Sequence, residues 1–258
     1  MEHPTMYGWF HLLCFGLTIL FSVLLPLIYS KRSPDSARKL VLWVSITVLL
    51  LEVYKQINFG FSYEDGISFH FPWYSFPFQF CSTPMYVGLL AGLTKKGKVH
   101  NACMAYLGTY ALFAGVCVML YPNTVFTDTM GINIQTMVCH GSMIAIGCCL
   151  LGCGSLKLEH KTILKAIPVF AICVGIAVIL NEIAFRIGIP EGDDFNMFFI
   201  SPPSAPSLPV YSLVQEFVPF PFCLIIYIIA FSLAAYIMLL AAMGIRALAA
   251  KFRVKATI

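Results

Sequence analysis

Charged residues are scarce in this chain of 258 residues, since Asp, Glu, Lys and Arg together make up 11% of it. Soluble globular domains contain about 25% of these residues, so a soluble fold is excluded. Hydrophobic residues make up 59% of the chain, in long continuous runs that differ from the alternating strands of a membrane β-barrel. The sequence therefore predicts an all-α membrane protein, and residues 1–258 read as a single polytopic membrane domain.

Metal-binding and disulfide patterns are also missing. The ten cysteines include no CxxC pair and no Cys/His spacing typical of a zinc site. Most of them lie within apolar runs, where cysteine packs as a small hydrophobic residue. The net charge of +4 comes from loop residues, so nucleic-acid binding is not implied. We predict no metal and no other cofactor.

Seven apolar stretches are long enough to cross the hydrocarbon core of a bilayer, which needs about 20 helical residues. Fourteen of the sixteen Lys and Arg residues fall in the loops after spans one, three and five, in the C-terminal tail, or in the span ends next to them. Positively charged loops stay cytoplasmic, so we expect a bundle of seven transmembrane helices with the N-terminus outside and the C-terminus in the cytoplasm. The predicted spans cover about residues 7–29, 40–57, 76–93, 99–121, 134–154, 163–187 and 222–247.

Polar side chains inside these spans gather at one depth. The third span, residues 76–93, is predicted to be one helix, and Cys81 lies about 7 Å below its outer end at ~1.5 Å per residue. By the same measure His140 lies about 9 Å below the outer end of span five. Ionisable groups in a span usually face a bundle interior or a wet cavity, so we expect one polar cavity that opens outward. The same layer contains Gln79, Ser82, Glu52, Lys55, Gln135, Asn181, Glu182 and Arg186.

Cys81 and His140 are the residue types that cysteine enzymes use for nucleophilic catalysis. An imidazole removes the proton of a thiol, and the thiolate attacks a carbonyl carbon. Here the carbonyl would belong to a lipid ester, and His140 would protonate the leaving alkoxide. The acyl-thioester on Cys81 would then pass its chain to a second lipid or to water.

Other residues of the layer have either supporting or structural roles. Glu52 or Glu182 would orient the imidazole, as the third member of a triad does. Gln79, Ser82 or backbone N–H groups beside the nearby prolines would hold the oxyanion. The spacings of Glu52 with Lys55 and of Glu182 with Arg186 equally fit ion pairs within one helix, and Cys81 equally fits plain packing.

Four segments resemble the YwaF-type integral membrane proteins of bacteria. They are FPFQFCSTPMY at the third span, MVCHGSM in the fifth, NMFFISPP after the sixth and FVPFPFCLIIY at the start of the seventh. Through that family the chain is distantly similar to a eukaryotic multipass acyltransferase that remodels ether phospholipids. The resemblance covers nearly the whole chain.

This resemblance implies a seven-span fold with Cys81 as the nucleophile and His140 as its base. It also implies that Asn196 caps or closes the cavity. Bacterial relatives often carry histidine where Gln79 stands, and glutamine cannot act as a base, so proton transfer at that position is not expected here. The resemblance implies a bacterial plasma membrane, whereas the charge distribution fits an endomembrane equally well.

The function predicted from the sequence is a membrane-embedded, cysteine-dependent acyltransferase or acyl hydrolase that acts on phospholipid from the outer leaflet. Two alternatives stay open: a small-solute or proton-coupled transporter, and a non-catalytic membrane protein that binds lipid or a partner. The connector of residues 188–221 fits either an amphipathic lid over the cavity or a plain structured loop.

Overall fold

The computed structural model describes residues 4–62, 66–189, 194–201 and 209–255. Six helices in these ranges are long and apolar enough to cross a membrane, which confirms a mostly helical, multipass membrane fold. The described helices are α1 (Trp9–Tyr29), α2 (Pro34–Gly60), α3 (Thr83–Leu93), α4 (Lys98–Leu120), α5 (Met130–Gly152), α6 (Lys161–Ile187), α7 (Pro209–Phe217) and α8 (Phe220–Lys255). All of these except α3 and α7 belong to the six.

A small hairpin departs from the all-α prediction. Strands β1 (Phe61–Ser62) and β2 (Ser68–Phe69) pair antiparallel directly after α2. Phe61 lies opposite Phe69 in this register, with ring centroids 5.0 Å apart. Aromatic pairs across strands stabilise such short pairings, which explains why the aromatic connector forms strands.

The prediction of one helix over residues 76–93 is wrong for its first seven residues. Helix α3 begins only at Thr83. Phe76 has an extended backbone, with φ −46° and ψ 133°, because the ring of the following Pro77 excludes the helical region for the residue before it. The exact number of seven spans is therefore not confirmed, since α3 alone is too short to cross a bilayer.

Helix α3 and the segment before it nevertheless follow α2 along most of its length. Near the end of α2, the Gln56 amide donates a hydrogen bond to the Ser75 carbonyl at 2.7 Å. Near its start, the Arg38 guanidinium donates to the Gly92 carbonyl. The interval from Gln56 to Arg38 measures about 27 Å at 1.5 Å per helical residue, so residues 75–92 cover almost the thickness of a bilayer core.

Helices α4 and α5 form the centre of the bundle, and glycines allow them to pack closely. A Cβ atom on Gly115 of α4 would lie 2.8 Å from the His140 carbonyl oxygen of α5. A Cβ atom on Gly147 of α5 would lie 2.7 Å from the Leu112 Cβ of α4. Small residues at such crossings are typical of membrane helices, where tight packing replaces the hydrophobic effect.

The connector before α8 is partly described. Residues 209–217 form helix α7, and Val214 and Val218 pack on the main apolar core. Residues 190–193 and 202–208 lie outside the described ranges.

Candidate functional site

A cavity lies between α2, α3, α4 and α5, and the Cys81 side chain lines it. The cavity is partly open and small, with a volume of about 30 Å³. Its wall is mainly aliphatic, with two thiols and two hydroxyls. The lining residues are Val41, Val44, Ser45, Val48, Cys81, Pro84, Met85, Leu107, Ala111, Cys139, Ser142, Met143 and Ile146.

One wall of the cavity is a π-helical turn of α4, residues Leu107–Ala111. Leu107 and Ala111, the first and last residues of this turn, both line the cavity. A π turn widens the helix by one residue, and such turns occur frequently at functional sites. The turn thus forms part of the cavity wall.

Cys81 lies in the irregular segment two residues before α3, and its thiol is half-buried. Its backbone carbonyl accepts a hydrogen bond from the Cys139 thiol of α5, with Sγ 3.9 Å from the oxygen. Thr83 anchors the start of α3 through its hydroxyl, which is 2.7 Å from the hydroxyl of the buried Tyr106. These contacts place Cys81 at the boundary between the aliphatic cavity and the polar residues of α2 and α5.

His140 is buried in α5, and one of its two ring nitrogens has no hydrogen-bond partner among the described residues. Its Nδ1 is 2.8 Å from the Thr136 carbonyl oxygen. A carbonyl oxygen only accepts hydrogen bonds, so Nδ1 carries the proton, and in the neutral ring Nε2 is an acceptor. Within the described residues Nε2 has no hydrogen-bond partner. The expected orienting carboxylate, Glu52 or Glu182, is therefore replaced by the backbone of the preceding helical turn.

Glu52 and Lys55 form a buried ion pair on α2 beside the site. Lys55 Nζ is 2.7 Å from Glu52 Oε1. The amide of Gln56 donates to the same carboxylate oxygen at 2.8 Å, and that of Gln135 donates to Oε2 at 3.4 Å. Because Glu52 is only 5% exposed, its charge needs these partners.

The ion pair lies near both predicted catalytic residues. Glu52 and Lys55 are within electrostatic range of Cys81, and Lys55 is within range of His140. The thiol of Cys81 and the imidazole of His140 are not hydrogen-bonded to each other, because Nε2 has no partner in the described part of the chain. The structure thus brings Cys81, Glu52, Lys55 and His140 into one region without a direct Cys–His contact.

Gln79, Asn181 and Asn196 come together at a second place, around residues 196–201, which we call the plug. The Gln79 amide donates to the Asn196 carbonyl and accepts from the Phe198 N–H, each at 2.9 Å. Asn181 binds the backbone of Met197 in the same two-way manner. Asn196 accepts a hydrogen bond from the Ser201 N–H at 2.9 Å. All three side-chain amides bind backbone groups of the plug. The Gln79 amide is therefore already hydrogen-bonded and is not free to act as an oxyanion donor.

Most other predicted oxyanion donors are also occupied. The N–H groups of Ser82 and Thr83 both donate to the Gln79 carbonyl, at 2.9 Å and 3.1 Å. The N–H of Met85 donates to the Ser82 carbonyl at 3.2 Å. The Ser82 side chain is the remaining predicted donor next to Cys81.

Glu182 and Arg186 do not join the site. They pair with each other on α6, with Nε 2.6 Å from Oε1, and their side chains are 55% and 75% exposed. They correspond to the structural interpretation of their i,i+4 spacing.

Sequence reasoning missed three residues that the structure places at the site. Cys139 lines the cavity and contacts the Cys81 backbone, and its position next to His140 was the available signal. Gln56 stands one helical turn after Glu52, a spacing that predicts side-chain contact. Ser45 lines the cavity from the middle of an apolar run, where no sequence pattern distinguishes it. In the described residues no group of three or more His, Cys, Asp or Glu side chains is arranged to hold a metal ion.

Comparison with known proteins places the chain in one family. The model of the TMEM164 family matches residues 6–240, which include α1 to α6 and every residue of the site. No curated protein and no solved structure matches the chain.

Proposed function

The chain belongs to the TMEM164 family of multipass membrane proteins, and from this premise we propose that it is a membrane-embedded acyltransferase that uses Cys81 as its nucleophile. The observation that carries the proposal is a half-buried thiol lining an aliphatic cavity, in the same region as a buried imidazole with an unpartnered acceptor nitrogen. The aliphatic wall of the cavity suits contact with an acyl chain, and the thiol suits the ester carbonyl at the end of that chain. The resemblance of FPFQFCSTPMY and MVCHGSM to the YwaF-type proteins and the ether-phospholipid acyltransferase supports the same chemistry.

The first half-reaction transfers an acyl chain to the enzyme. His140 Nε2 accepts the proton of the Cys81 thiol, and the sulfur attacks the ester carbonyl carbon of a phospholipid. The carbon–oxygen bond of the ester breaks, and the proton on Nε2 passes to the leaving alkoxide. A lysophospholipid leaves, and the acyl chain stays on Cys81 as a thioester.

The second half-reaction reverses these steps with a new acceptor. A hydroxyl of a second lipid gives its proton to His140 Nε2, and its oxygen attacks the thioester carbonyl. The carbon–sulfur bond breaks, and the thiolate of Cys81 takes the proton back. Water in place of the lipid hydroxyl would make the same site an acyl hydrolase.

One side chain assists the negative charge that develops in these steps. The Ser82 hydroxyl is the proposed oxyanion donor, since the neighbouring backbone N–H groups are occupied. Lys55 is paired with Glu52 at 2.7 Å, so its charge serves the buried carboxylate and is not assigned to the thiolate. The proposal requires the 76–82 segment to move so that the thiol reaches His140, as catalytic hydrogen bonds commonly tighten only in the substrate complex.

The proposed orientation puts this site near the outer face. Residues 75–92 form the third of seven crossings, the N-terminus is outside, and the C-terminus with its basic residues is cytoplasmic. The lipid ester then enters from the outer leaflet of a bacterial plasma membrane.

Acyl exchange between lipids tests the proposal. Purified protein in vesicles receives a phospholipid with an isotope-labelled acyl chain and an unlabelled lysophospholipid, and mass spectrometry follows the label. Transfer should occur with the wild type and with Cys14→Ala, whose thiol is half-buried in α1. It should drop at least about a hundredfold, the size of a general acid–base contribution, in Cys81→Ala and His140→Ala. Equal transfer by all four proteins would refute the assignment of Cys81, and no transfer by any would favour a binding or transport function.

A further inference from the structure

The plug is a loop whose side chains are inserted into the bundle. Met197, Phe198 and Ile200 are fully buried. The Phe198 ring lies 5.8 Å from that of Phe80 and 6.1 Å from that of Phe170, centroid to centroid. Phe80 directly precedes Cys81, so the plug packs against the segment that carries the thiol.

The backbone of the plug is strained. Phe198 and Phe199 have φ values of 59° and 56°, in the left-handed region that L-residues with a bulky side chain avoid. Strained backbone persists only where its surroundings hold it, and it occurs often at clamps and switch regions.

Two side-chain amides hold this strained turn in place. Gln79 binds Asn196 and Phe198, and Asn181 binds Met197 through both its oxygen and its nitrogen. The Tyr227 hydroxyl adds a bond to the Phe198 carbonyl at 3.2 Å. Among these groups, only Gln79 is close to Cys81 in the sequence, two residues before it. Its segment has no helical hydrogen bonds between Phe76 and the turn that begins at Gln79.

We propose that Gln79 is a positioning residue for Cys81 and that Gln79 and the plug together form a latch. While the plug is seated, the Gln79 amide fixes the 76–82 segment, and Cys81 stays against Cys139 at the cavity. When the strained turn relaxes and the plug leaves, the segment loses its anchor and Cys81 becomes accessible. The latch goes beyond acyl transfer, since it controls the exposure of the thiol whatever chemistry the thiol performs.

Site-resolved alkylation with N-ethylmaleimide tests the latch without any lipid substrate. The modified protein is digested, and the rate at Cys81 is divided by the rate at Cys173, a buried thiol of α6. This ratio cancels effects of global unfolding, which exposes both thiols. Gln79→Met and Asn181→Leu each remove two hydrogen bonds to the plug and should raise the ratio about tenfold.

The chain offers a matched control in Asn133. This buried amide binds the backbone of Thr127 in the same two-way manner, at 2.8 Å and 2.7 Å, but it does not touch the plug. Asn133→Leu should therefore leave the ratio unchanged. An equal rise in Asn133→Leu and Asn181→Leu would overturn the proposal.

A variant that relieves the backbone strain should change the Cys81 alkylation ratio in the opposite direction. Phe199→Gly removes the penalty of one left-handed residue and should lower the Cys81 ratio a few-fold by favouring the seated plug. This variant decides the question even where Gln79→Met fails to fold. A ratio that stays constant or rises in Phe199→Gly contradicts the latch.

Discussion

At the scale of single residues, two ion pairs between a glutamate and a basic residue on the same helix differ in burial, since one is buried and the other is exposed. Glu52 and Lys55 are 6% and 16% exposed in their side chains, and Glu182 and Arg186 are 55% and 75% exposed. Both pairs have helical spacing, so the sequence alone treats them alike. Their surroundings make them different, because a buried charge without its partner is costly and an exposed one is solvated.

We predict that Glu52→Gln destabilises the fold far more than Glu182→Gln does. The first change leaves Lys55 unpaired in the interior, at a cost of about 3 kcal/mol. The second removes an exposed pair whose contribution is at most about 1 kcal/mol. Thermal unfolding in detergent measures the difference, and the double variant Glu52→Gln with Lys55→Met should recover most of the loss. Equal melting points for the two single variants would show that Lys55 reaches solvent.

The predictions for single residues differ in whether they depend on a hydrogen-bonding partner elsewhere in the fold. Glu52, Cys81 and His140 were predicted from depth and residue type, although helical rise does not apply to the non-helical residues before Thr83. The orientation of His140 by Thr136 and the binding of the plug by Gln79 could not be found this way. Each depends on which backbone carbonyl or N–H faces a side chain, and that is settled only when the helices pack.

At the scale of elements, the contact between α4 and α5 decides the geometry around His140. Gly115 faces the His140 carbonyl so closely that an added methyl group has no space. Gly175 of α6, by contrast, has no atom within 4 Å of the position of an added Cβ. Gly115 therefore allows close helix packing and Gly175 does not, although both lie within membrane helices.

Gly115→Ala should separate α4 from α5 and destabilise the protein by about 1–3 kcal/mol, as overpacking does. Gly175→Ala is the matched control, and its melting point should stay the same or rise, because alanine favours helix over glycine. The comparison uses thermal unfolding of both variants under one set of conditions. Indistinguishable melting points would mean that the helices tolerate a wider separation than the structure shows.

The third element shows the limit of hydropathy. Residues 76–93 are uncharged and long enough to span, so they predict a helix, yet regular helix is confined to 83–93. Pro77 and the polar residues after it were visible in the sequence. The hydrogen bonds from other elements that replace the helical ones, from Gln56 to Ser75 and from Cys139 to Cys81, were not.

At the scale of the whole molecule, the membrane topology depends on whether residues 75–92, which are only partly helical, cross the bilayer. The contacts of Gln56 with Ser75 and of Arg38 with Gly92 place the two ends of residues 75–92 beside opposite ends of α2. A crossing at this point gives seven spans and termini on opposite sides. A re-entrant segment would give six and put both termini on the same side.

Terminal reporters distinguish these topologies. We predict that green fluorescent protein fluoresces when fused after residue 258 and that alkaline phosphatase is active when fused before residue 1, since the first requires the cytoplasm and the second the outside. The reciprocal fusions serve as controls and should be inactive. Fluorescence from both termini would exclude the seventh crossing and with it the outward-facing site.

The measurement that tests the central proposal most directly is the intact mass of the protein after incubation with phospholipid vesicles. The wild type and Cys14→Ala should each gain the mass of one acyl chain, and hydroxylamine should remove it as it does a thioester. Cys81→Ala and His140→Ala should gain nothing. An adduct that persists in Cys81→Ala, or the absence of any adduct on folded wild-type protein across varied lipids, would contradict acyl transfer through Cys81.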